Sequence, residues 1–160
     1  MGSNQPHRGK SLALGLACAI AASGMHAQQS TVQHALTPAD RAAVHDYTLT
    51  DAAYRKLLDT ARDAKANKVK IDILDPGAHS LDETAAHLNA DPGVHALLDR
   101  HGLTARDFLL GEYALLGAEF AVKYAGQPGF DASMANPANI ALYRRHEAEI
   151  DALSGDDSNN

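Results

Sequence analysis

The 160-residue chain carries 14 basic and 20 acidic side chains, a net charge of −6. That balance argues against nucleic acid and anionic membrane surfaces as partners, because both call for clustered Lys and Arg. With one cysteine, Cys18, no internal disulfide can form, so packing must hold the fold together.

The chain begins with a cationic group, His7, Arg8 and Lys10, followed by the apolar run "SLALGLACAIAASG". A run of this kind matches the h-region of a secretory signal peptide and is too short to span a bilayer. Cleavage is expected after Ala27, with Met25 three residues before the cut. Cys18 is not read as a lipid anchor, since Gly15 stands where such signals usually have Leu and the apolar run continues past it. Residues 1–27 are therefore expected to be a signal peptide and 28–36 a flexible mature N-terminus, sending the protein to the periplasm or beyond. Of the 14 basic residues, Arg8 and Lys10 fall in this leader, leaving 12 against 20 acidic ones and a mature charge of −8. No second apolar run approaches membrane-spanning length, so no stable membrane insertion is expected after cleavage.

Helix punctuation recurs through residues 37–153, the expected helical domain. Thr37-Pro38 followed by Asp40 reads as a short helix start with proline at its first position. Thr50-Asp51 can cap a longer helix with Ala53, Leu57, Leu58 and Ala61 on one face. "KVKIDIL", with Val69, Ile71 and Ile73 alternating with polar residues, resembles a strand. It has no pairing partner elsewhere, and reads instead as an extended connector laid over the helices. Ser80-x-x-Glu83 is a capping box, and Asp91-Pro92 opens a helix that Gly102 can close. Thr104-x-x-Asp107 opens the most apolar helix, which Gly126 ends, and Asn136-Pro137 opens the last. Residues 154–160 are expected to be a disordered polar tail. The predicted fold is all-α: a small irregular bundle of four or five helices around a central apolar helix.

That apolar helix contains Glu112 and Glu119, seven residues apart. At 100° per residue Glu112, Glu119 and Lys123 share a stripe about 40° wide, and nearly everything else around the wheel is apolar. Gly111 and Gly117 cost helix stability and are best accommodated where neighbouring helices cross close to them. The stripe is expected to be the line where the helix meets water, with Glu119 and Lys123 paired at i,i+4. The alternative is a cleft in which the glutamates take up a ligand, a metal or a proton. Glu112, which lacks a cation in helical register, is then the first candidate. Two carboxylates about 10 Å apart along the axis cannot share one metal without another helix. In the last helix His146 lies on the apolar arc with Leu142, Tyr143, Ile150 and Leu153, so it is expected to be a hydrogen-bonded inward residue, with a glutamate of the apolar helix as candidate partner.

No Cys-x-x-Cys-His, phosphate loop, H-E-x-x-H, repeated Glu-x-x-His or G-x-S-x-G occurs, so covalent haem, P-loop, zincin, di-iron and serine-elbow chemistry have no motif here. No cofactor is expected. The histidine-bearing pairs Glu83/His87 and His95/Asp99, each at i,i+4, together with His101, are candidates for a weak surface site for zinc or copper.

"HGLTARDF" (101–108) and "NPANIALYRRHEAEI" (136–150), with a looser match at "DYTLTDAAYRKL", resemble a functionally uncharacterised group of small exported proteins of Gram-negative bacteria. The resemblance implies export and an all-α fold, and carries no activity and no role for the two glutamates. The leading functional expectation is thus a non-catalytic module that binds another protein of the cell envelope. A periplasmic metal-binding protein comes second. An enzyme using Glu112 or Glu119 as general base beside His146 comes third.

Overall fold

The computed structural model of the protein describes residues 36–128, 130 and 135–155, apart from the side chains of 154 and 155. The expected signal peptide with Cys18, the N-terminal stretch as far as 35 and the tail from 156 lie outside the described residues. Six helices and no strand occur among the described residues: α1 Pro38–Asp46, α2 Asp51–Asn67, α3 Leu81–Ala90, α4 Pro92–Arg100, α5 Ala105–Lys123 and α6 Pro137–Gly155. This is one or two more helices than the four or five expected. Short α1 is complete in itself, and Asp91 separates α3 from α4 by ending one and capping the other. α6 also runs to Gly155, two residues into the stretch expected to be tail.

Side chains of the preceding residue start nearly every helix. Thr37 accepts from the Asp40 amide while the Asp40 carboxylate accepts from Thr37, a full capping box with Pro38 at the first position. Thr50, Ser80, Asp91 and Thr104 each accept an amide of the first turn of α2, α3, α4 and α5. Asn136 does the same for α6 by accepting from the Ala138 amide. Gly102, at φ 61°, lets the Leu103 amide return to the Leu98 carbonyl and close α4.

α5 packs against all five other helices, and Leu109 and Ala118 on it are fully buried. Gly111 is where α2 comes closest: a Cβ there would sit 2.7 Å from Leu57 Cδ1. Gly117 has open space instead, so the close crossing expected of both glycines exists at Gly111 alone. Residues 69–80 cross the bundle without helix or strand, as expected of a connector. Val69, Ile71 and Ile73 pack on the core, and Tyr113 of α5 donates its hydroxyl to the Ile73 carbonyl at 2.6 Å. Two buried polar residues lock the first and last described helices into this body. Asp40 of α1 accepts from the Leu81 amide at the head of α3. Asn139 of α6, 1% exposed, accepts from the Leu49 amide and donates to the Tyr47 carbonyl, each at 2.8 Å.

Candidate functional site

The polar stripe of α5 is not a waterline. Glu112 and Glu119 are 7% and 6% exposed, because α2, the connector and α6 cover the face that helical periodicity reads as wet. The stripe also splits into two environments. Glu119 is neutralised: Lys123 Nζ lies 2.8 Å from its carboxylate and 3.3 Å from Asp151 of α6. Burial works against the Lys123 charge, yet the hydrogen bond and the charge of Glu119 outweigh it and raise the lysine pKa. The Tyr143 hydroxyl is buried beside the Glu119–Lys123 pair. Burial, reinforced by the Glu119 carboxylate, raises its pKa.

Glu112 has no such partner: no hydrogen bond or ion pair reaches its carboxyl group among the described residues. Desolvation alone raises its pKa to about 7. Glu112 lines a half-open cavity of about 290 Å³ bounded by four segments. Leu57, Leu58 and Ala61 come from α2, Ile71 and Ile73 from the connector, Leu115 from α5, and Ile150 and Leu153 from α6. Lys65, Lys70 and Asp72 add charge, and their exposure places them at its mouth. Gly111 contributes indirectly, since its missing side chain admits Leu57, a wall residue, against α5.

His146 faces inward in part, its side chain 24% exposed, but its partners are not glutamates of α5. Nε2 lies 3.1 Å from Asp51, Nδ1 lies 3.6 Å from Glu149, and the ring stacks on Tyr54 with centroids 4.3 Å apart. Tyr54 donates its hydroxyl to Glu149 at 3.0 Å, Arg62 pairs with the same carboxylate, and Arg145 with Asp51. The hydrogen bond from His146, then that from Arg145, holds Asp51 below its usual range. The Tyr54 hydroxyl does the same for Glu149. Every acid here faces a donor, and the cluster fastens α2 to α6. The partner lies 95 residues away in sequence, which is why helical periodicity missed it.

The candidate metal ligands are dispersed. Glu83 accepts from the His79 amide, His87 pairs with Asp75 of the connector, His95 lies 3.5 Å from Asp99, and His101 lies 3.1 Å from Asp63 of α2. Among the described residues no group of three His, Cys, Asp or Glu side chains could hold a metal ion. His101 and Arg100 instead join α4 to α2 through Asp63, whose pKa falls chiefly through the His101 hydrogen bond. Residues that periodicity overlooked are those of the connector, which roof the cavity. Their signal was the alternation of Val69, Ile71 and Ile73, which marks one face for burial.

Among the described residues no helix is long and apolar enough to cross a membrane. Comparison with protein-family models, with curated proteins and with solved structures finds no match.

Proposed function

We propose that this protein is a non-catalytic binding protein that holds a small, largely apolar molecule in the cavity between α2, the connector, α5 and α6. The signal-like N-terminal sequence supports a site of action outside the cytoplasm. One observation carries the reading: Glu112 is more than nine-tenths buried, faces a cavity of about 290 Å³, and has no hydrogen bond or ion pair among the described residues. Buried polar groups are ordinarily satisfied, and one left without a partner in an apolar cavity costs about 1–3 kcal/mol unless something enters to meet it. Apolar lining with a few convergent polar groups is also what small-molecule sites share.

This geometry favours a small ligand over the docked envelope protein expected from sequence. Leu74, at 52%, is the one large hydrophobic residue well exposed among those described, which is little for the core of a protein interface. A ligand of about 10 to 17 heavy atoms, each contributing about 0.5–0.8 kcal/mol, reaches micromolar affinity.

The test is a fluorescence titration with the uncharged probe N-phenyl-1-naphthylamine, on wild type and on Ala61→Phe, which places a ring in the cavity. Saturable one-site binding, weakened at least tenfold in the variant, is the expected outcome. A non-saturating signal, or equal binding by a folded Ala61→Phe protein, defeats the reading.

A further inference from the structure

We infer that the cavity selects a compact apolar molecule carrying one ammonium group, with the Glu112 carboxylate as its counter-ion. The inference rests on the small-molecule reading above and adds the ligand's chemical class.

The polar groups around the cavity differ in depth. α2 presents Tyr54 and Lys65, the connector Lys70 and Asp72, and α6 only Ile150 and Leu153, while α1, α3 and α4 supply no residue to the wall. The Tyr54 hydroxyl is engaged with Glu149. Lys65, Lys70 and Asp72 are all exposed and stand at the mouth. Glu119, on the same helix as Glu112, is occupied by Lys123. Among the described residues the interior therefore offers an incoming ligand one unengaged polar side chain, and it is an acid.

An acidic amphiphile could seat its head on Lys65 and Lys70. Its apolar body would then lie against Glu112, strip away the remaining water and leave the carboxyl without a partner. An uncharged alcohol could donate one hydrogen bond but would not compensate the charge. An ammonium group donates up to three hydrogen bonds and cancels the buried charge, turning the least favourable group in the cavity into an ion pair. Tyr54 and Phe108 line the same cavity, and aromatic rings favour a nearby cation. The surrounding protein is acidic, with a net charge of −6, and so attracts cations at long range.

Ligand charge then fixes the sign of the pH dependence. The pKa of Glu112 in the empty cavity is about 7, whereas a primary ammonium stays protonated to about pH 10. Ammonium binding requires ionised Glu112, so its affinity rises by about tenfold from pH 6 to pH 8 as the ionised fraction grows from about a tenth to about nine-tenths. An acid accepting a hydrogen bond from protonated Glu112 would lose affinity over the same range, and an alcohol would change little.

The experiment displaces N-phenyl-1-naphthylamine with 4-phenylbutylamine, 4-phenylbutanol and 4-phenylbutanoate at pH 6, 7 and 8. The expected result is that the amine binds at least tenfold more tightly than the alcohol at pH 8. This margin should shrink to within about twofold at pH 6, and the butanoate should bind weakest. In Glu112→Gln the amine and the alcohol should lie within about twofold of each other at every pH. The alcohol, measured on the same variant, is the internal reference for an intact cavity. Equal amine and alcohol affinity in the wild type, a preference for the butanoate, or an amine affinity that does not change with pH overturns the inference and leaves the cavity reading standing. Absence of saturable probe binding overturns both.

Discussion

Replacing Glu112 by Gln removes one ionisable group from the apolar cavity at almost no change in shape. In the unfolded chain the carboxyl titrates near 4.5, and in the fold near 7. Because the folded pKa is raised for an acid, native protein binds the proton more tightly than unfolded protein does. Below about pH 4.5 both states are protonated and the group costs nothing. Between the two values stability falls as pH rises, and above 7 the whole penalty applies. At about 1.4 kcal/mol per pKa unit the full penalty is about 3 kcal/mol, an upper value because water can enter the cavity. Glu112→Gln should therefore stabilise the protein by about 3 kcal/mol at pH 8 and by only about 1 kcal/mol at pH 5. Urea denaturation of both proteins between pH 5 and pH 8, fitted with a common m-value, measures this directly. A stability difference that stays constant across that range would mean that Glu112 is solvated in the fold, and the burial argument would be lost.

The two glycines of α5 should respond in opposite directions. Gly117→Ala meets open space and gains about 0.5–1 kcal/mol of helix preference, whereas Gly111→Ala drives a methyl into buried Leu57 and should cost about 1–2 kcal/mol net, both read from denaturant midpoints. Asn139→Ala leaves the Leu49 amide buried without an acceptor and should cost about 2–3 kcal/mol in the same assay. The hydrogen bond from His87, then that from the Gly77 amide, holds the Asp75 carboxyl below its usual range. This tie on the connector is thus present at neutral pH and lost as pH falls through the depressed value. Asp75→Asn should speed hydrogen exchange of amides 69–78 at pH 7 while α5 amides keep their protection, and unchanged exchange would show that the tie does not restrain the connector.

Local chemistry was legible in the sequence where it is settled within four or five residues. Thr37-Pro38, Thr50, Ser80, Asp91-Pro92, Thr104 and Asn136-Pro137 all start helices, and the Glu119–Lys123 pair forms at its helical spacing. What periodicity could not reveal is what covers a helix face. The stripe holding Glu112 and Glu119 is narrow and polar by sequence. It is buried because α2, the connector and α6 converge on it, and those segments start 61 residues before Glu112 and end 43 after it. The cavity shares that origin: no single segment of sequence contains it. The apolar arc marks His146 as inward and bonded, which holds in part, but its partner Asp51 belongs to a helix whose position only the fold determines. Sequence suggests a crossing at both glycines, yet only Gly111 has a neighbour, because spacing along a helix does not say where the next helix passes.

The Asn139 clamp has a consequence for how the protein comes to be folded. It joins the Leu49 amide to a side chain 90 residues downstream, and Asn139 lies in the first turn of the last helix. Closing so long a loop carries an entropy cost that only later contacts can repay, and contacts of this separation form slowly. While the chain is shorter than about 140 residues, the segment between α1 and α2 has no acceptor to dock on. That clamp closes only once Asn139 is in place, so the turn between α1 and α2 gains its buried acceptor from the far end of the described fold.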